Sequence, residues 1–97
     1  MEKKYKSIDE VRSIIDNVDS EIIDLISKRK KLVIEAVKHK TRDQIIDRER
    51  IELIIRKLRE KSELCSISPD LIEKIWRIMI DDFIEFEKEN YDKIHKL

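Results

Sequence analysis

The 97-residue sequence contains no glycine, one proline and one cysteine. Glycine ordinarily supplies about 7% of a chain, so its absence excludes a good deal. A Gly-rich phosphate loop, a dinucleotide fingerprint and an EF-hand all need glycine for positive φ or close backbone approach. Tight two-residue hairpins rely on it too. A lone Cys65 excludes a disulfide framework and a multi-cysteine zinc site, and fits a reducing compartment. No uncharged run of 18 residues occurs, and Met1-Glu2-Lys3-Lys4-Tyr5-Lys6 leads into no apolar segment. Neither export nor membrane spanning is expected, and a cytoplasmic location is. Net charge is lacking as well: Lys plus Arg number 22 and Asp plus Glu 22. That balance leaves no basic excess to mark a nucleic-acid surface.

What is present is charge and helical periodicity. Charged residues make up 45% of the chain, against about 25% in an ordinary domain. The 40% that are hydrophobic fall in periodic order, which argues for a folded, all-α chain. The length suits one domain, residues 1–97. Ser7 and Glu10 form a capping-box pair, with Asp9 in the first turn. Val11, Ile15, Val18, Ile22, Leu25, Arg29, Leu32 and Ala36 then step by four and three. Nothing stops this helix until about His39 or Lys40, giving roughly 30 residues and 45–50 Å. A 97-residue domain is only about 30 Å across. The helix should therefore overhang its own domain, and a partner chain covering the excess stripe is the simplest solution, a homodimer the commonest.

Thr41 to Ile46 reads as a short connection. Asp47 caps a second helix through Arg48-Glu49-Arg50, with Ile51, Ile54, Ile55 and Leu58 inward, decaying through Lys61-Ser62-Glu63. Ser68, Pro69 and Asp70 start a third helix. Its stripe runs Ile72, Ile75, Trp76, Met79, Phe83, Phe86, Glu87, Asn90 and Tyr91 and fades by Ile94, with His95 in a fraying tail. Three helices, long–short–long, account for the chain.

Most charges in such a chain are solvated faces, but some interrupt a stripe. Arg29 fills the slot between Leu25 and Leu32, and Glu87 lies four residues after Phe83. Eleven residues separate Lys40 from Arg29, which on one helix is about 20° around the axis. Arg12 is offset by roughly 100°, so it suits a neighbour's pocket better than its own. Buried charge costs several kcal/mol unless paired. Two readings stand: an Arg29–Glu87 pair that fixes register, or a cationic pocket of Arg29, Lys40 and Arg48 for an anionic ligand. Arg48 at a helix N-terminus favours the second.

The runs Val11-Arg12-Ser13-Ile14-Ile15-Asp16-Asn17-Val18-Asp19, Leu25-Ile26-Ser27-Lys28-Arg29, Lys38-His39-Lys40 and Asp47-Arg48-Glu49-Arg50 resemble the all-helical chorismate mutase family, in order and at nearly its spacings. The resemblance covers about residues 8 to 90. It implies an intertwined helical homodimer with shared active sites, no metal and no cofactor. Arg12 would reach into the partner's site, and Arg29, Lys40, Arg48, Glu49 and Glu87 would come from the home chain. The implied reaction, chorismate to prephenate in aromatic amino-acid biosynthesis, is a unimolecular 3,3-sigmatropic rearrangement. It needs no nucleophile, only orientation of a dicarboxylate and stabilisation of charge as the ether C–O bond breaks. By resemblance Arg12, Arg29 and Arg48 bind carboxylates, Lys40 donates to the ether oxygen, and Glu49 accepts from the substrate hydroxyl.

Three positions depart from the family pattern. Glu87 stands where many members carry Gln, and only a protonated carboxyl can donate to the ether oxygen. Activity should then fall as pH rises, and Glu87→Gln should flatten the profile. Ile45 stands near an acidic position of the best-known bacterial enzymes, and Phe83 at one that is often Ser. The aromatic residue at Phe83 is similar to isochorismate-pyruvate lyase, a relative of the same fold, although Asp47-Arg48-Glu49-Arg50 is mutase-like. A non-catalytic helical interaction module is the alternative from another class. Trp76 and Met79 read as core, Cys65 as incidental, and His39 as a helix-end residue.

Overall fold

The computed structural model describes residues 4–96. Among these it contains three α-helices and no strand: α1 (Ile8–Val37), α2 (Arg48–Leu64) and α3 (Pro69–His95), with a short 3-10 turn at Arg42–Gln44. The all-α, long–short–long expectation holds. The chain divides into two units, Met1–Leu32 and Val33–Leu97.

Each helix start follows from its first residues. The Glu10 N–H donates to Ser7 Oγ at 3.1 Å, and Glu10 Oε2 accepts from the Lys6 N–H at 2.8 Å. Asp47 Oδ1 accepts from the Arg50 N–H at 3.0 Å, and Ser68 Oγ from the Leu71 N–H at 3.3 Å. Each cap satisfies one donor that the first turn leaves open.

The helix ends are where the missing glycine is felt. A glycine in the left-handed region is the usual device for closing a helix. At the end of α2 Ser66 takes that conformation instead, with φ 58°. Its N–H bonds the Glu63 carbonyl at 3.2 Å while the Ile67 N–H bonds the Ser62 carbonyl at 2.9 Å, closing a Schellman turn. At the end of α1 no residue turns left-handed. The His39 N–H bonds Ala36 and the Lys40 N–H bonds Val37, each at 3.0 Å, so the last turn tightens and the helix stops at Val37. Lys40 is consequently off the helix, and the angular relation expected between Arg29 and Lys40 on a continuous helix does not apply.

Within residues 33–97, α2 packs on α3. The core is Val37, Ile45, Ile55, Ile80 and Ile94, all under a tenth exposed. Ser62 is buried too, its hydroxyl donating to the Leu58 carbonyl at 2.6 Å. Trp76 and Met79 are half-buried. Two expectations at the C-terminus are corrected. Ile94 belongs to the core, and His95 ends α3 instead of fraying, because its ring is held by a hydrogen bond described below. A charged seam joins α2 to α3: Arg59 pairs with Asp70 and Glu73, and Arg77 with Glu73 and Glu52. The Arg77 hydrogen bond holds the Glu73 carboxyl below its usual range.

Residues 8–32 present a different picture. The stripe residues Ile15, Val18, Ile22, Leu25 and Leu32 are all exposed, between 46% and 64%.

Candidate active site

The predicted site residues fall in both units. Arg12 is exposed on α1, 4.0 Å from Asp9, one turn earlier. Arg29 is half-buried on the same helix. Arg48 and Glu49 occupy the first turn of α2, both exposed, where open backbone N–H groups favour an anion.

Lys40 and Glu87 are brought together. Lys40 Nζ donates to Glu87 Oε1 at 3.3 Å across 47 residues of sequence. Glu87 is 4% exposed, so α3 carries a carboxyl group into a position where only a paired or hydrogen-bonded acid is tolerated. The lysine ammonium can only donate, and Oε1 can accept from it whether or not the carboxyl is protonated.

Three residues around this pair were not singled out by the sequence pattern as functional. The Tyr91 hydroxyl donates to the Lys40 carbonyl at 2.9 Å. His95 Nε2 lies 2.9 Å from the Val37 carbonyl, which can only accept, so that nitrogen bears the hydrogen. The Tyr91 and His95 rings stack at 4.1 Å, and the Arg42 guanidinium sits 4.5 Å from the centre of the Tyr91 ring while pairing with Asp92. A local signal existed: Glu87, Tyr91 and His95 are spaced by four, which puts them on one face of α3.

The departures have physical consequences. Ile45 is 4% exposed, so it is a core residue and offers no polar contact. Phe83 is half-buried. A groove of about 430 Å³ between α2 and α3 is lined by Glu52, Arg59, Glu73 and Arg77, whose charges satisfy one another, and contains none of the predicted site residues. No cluster of His, Cys, Asp and Glu suited to a metal occurs among the described residues. No helix among them is long and apolar enough to cross a membrane.

The profile of the family described as chorismate mutase type II matches residues 11–88. Similarity also extends to a bifunctional chorismate mutase/prephenate dehydratase of Buchnera aphidicola subsp. Schizaphis graminum (strain Sg), 29% identical over 84 residues. The aligned region is 84% of this chain but 22% of that protein, so the chain spans under a quarter of the relative's length. No solved structure gives a significant match. The family match takes in Arg12, Arg29, Lys40, Arg48, Glu49 and Glu87, and on its extent the chain belongs to the chorismate mutase type II family.

Proposed function

We propose that this chain is a chorismate mutase, converting chorismate to prephenate in the cytoplasm as a homodimer with shared active sites. The observation that carries the reading is the Lys40–Glu87 pair, a donor and a buried carboxyl held together by distant segments of a chain of this family. The exposed apolar stripe of α1 supports the dimer, because a monomer in water gains nothing from presenting five such residues at helical spacing.

The chemistry asks little of the protein beyond geometry and charge. Breaking the ether C–O bond builds negative charge on its oxygen. Lys40 donates to that oxygen, and Glu87 holds the lysine ammonium beside it. Arg29 and Arg48 of the home chain and Arg12 of the partner hold the two carboxylates in the folded, chair-like shape from which the new C–C bond forms. Arginine suits that task because its planar fork meets a carboxylate with two hydrogen bonds. Glu49 accepts from the substrate hydroxyl. The rate gain then comes from orientation and from donors already in place as charge develops.

The test is a pair of incubations. Purified protein given chorismate should yield prephenate with no added metal or cofactor, and Lys40→Ala should abolish most of that turnover. Salicylate plus pyruvate from isochorismate, with chorismate untouched, would instead establish the lyase. Turnover of neither would make the chain a non-catalytic helical module.

A further inference from the structure

We propose that Tyr91 is a positioning residue that acts on the reaction through Lys40, with His95 supporting it. The inference rests on Lys40 being the donor to the breaking ether bond.

Lys40 has no helix to hold it. It follows the Lys38–His39 turn, and a lysine head on a four-carbon stem has many rotamers to lose. Yet a donor that stabilises developing charge must be fixed beforehand, and a misplacement of about 1 Å can cost up to a hundredfold in rate.

One face of α3 supplies the missing restraint at three successive levels. Glu87 accepts from the Lys40 ammonium, Tyr91 donates to the Lys40 carbonyl, and His95 donates to the Val37 carbonyl. The first two hold the same residue at both ends. The third fixes the helix end from which the turn departs, where Val37 is fully buried. The Tyr91 ring is itself held, stacked with His95 and contacted by the Arg42 guanidinium. In a chain without glycine, this side-chain cap takes the place of a left-handed C-terminal residue at α1. Tyr91 and His95 lie beyond residue 88, where the family match ends.

Tyr91→Phe removes the hydroxyl and keeps the ring. Its kcat for chorismate should fall about tenfold, the scale of one lost hydrogen bond, with KM within about twofold and the circular dichroism spectrum unchanged. The same substitution in a Lys40→Ala background should change kcat by less than about twofold, because nothing remains to be positioned. Lys40→Ala keeps the carbonyl that Tyr91 binds, so a merely structural role for the hydroxyl would act equally in both backgrounds. His95→Ala should show a smaller loss with the same dependence on Lys40, a second route should Tyr91→Phe lose helical content. Equal losses with and without Lys40, or an unchanged kcat in Tyr91→Phe, would overturn the positioning role while leaving the function reading intact. A wild-type protein without chorismate turnover would overturn both, and a Lys40→Ala variant at full rate would overturn the positioning role together with the donor role of Lys40.

Discussion

Two sets of apolar residues on the helices of this molecule meet opposite environments. On α1, Ile15, Val18, Ile22 and Leu25 are between 46% and 64% exposed, whereas Ile55, Ile80 and Ile94 of the second unit are between 3% and 7% exposed. Periodicity reports that a face needs covering, and it is silent on what covers it. In residues 33–97 the cover is the chain itself, α2 against α3. For residues 8–32 we propose that a second copy provides it, and that the same copy brings Arg12 to a site built around Lys40 and Glu87.

The contrast can be broken most forcibly at α1. Leu25→Lys puts a charge in the middle of the exposed stripe, and sedimentation equilibrium should show a monomer with no mutase activity. Next in size is Lys40→Ala. Loss of an oxyanion-type donor costs about 3–4 kcal/mol, so kcat should drop by roughly 10²–10³ while the dimer persists. Assembly and chemistry would then respond to separate substitutions. Ile80→Ala probes the internally covered face, and urea unfolding should show a loss of about 2–4 kcal/mol, typical of a buried isoleucine cut to alanine.

The smallest effect concerns the α2–α3 seam. Glu73 is held below its usual 4.5, chiefly by its hydrogen bond from Arg77. A carboxyl group lowered on folding contributes stability that is fully present above its unfolded value and disappears as pH falls through the folded one. Thermal melts of wild type and Glu73→Gln should therefore differ fully above about pH 4.5 and converge only as pH falls through the lower folded value.

Much of this was legible in the sequence, for local reasons. Asp47 and the Ser68-Pro69 pair announce the starts of α2 and α3, because the cap and the helix it serves are neighbours in the chain. The end of α1 was not legible, since the groups that close it, Tyr91 and His95, lie more than fifty residues further on. The same cause hid the burial of Ile94 and the order at His95: a tail that looks frayed alone is held by a carbonyl from another element. At the candidate site, a glutamate on an apolar stripe signalled a partner, and the sequence pattern named Arg29 for it. The fold also brings Lys40 within hydrogen-bond distance of it.

The shared site can be tested directly by complementation. Arg12→Ala and Lys40→Ala proteins, each inactive alone, are mixed, unfolded and refolded together. If Arg12 crosses to the partner's Lys40, half the dimers are mixed and each has one intact site, so about a quarter of wild-type activity should return. A mixture no more active than its separate components would contradict the shared site, and with it the role assigned to the exposed face of α1.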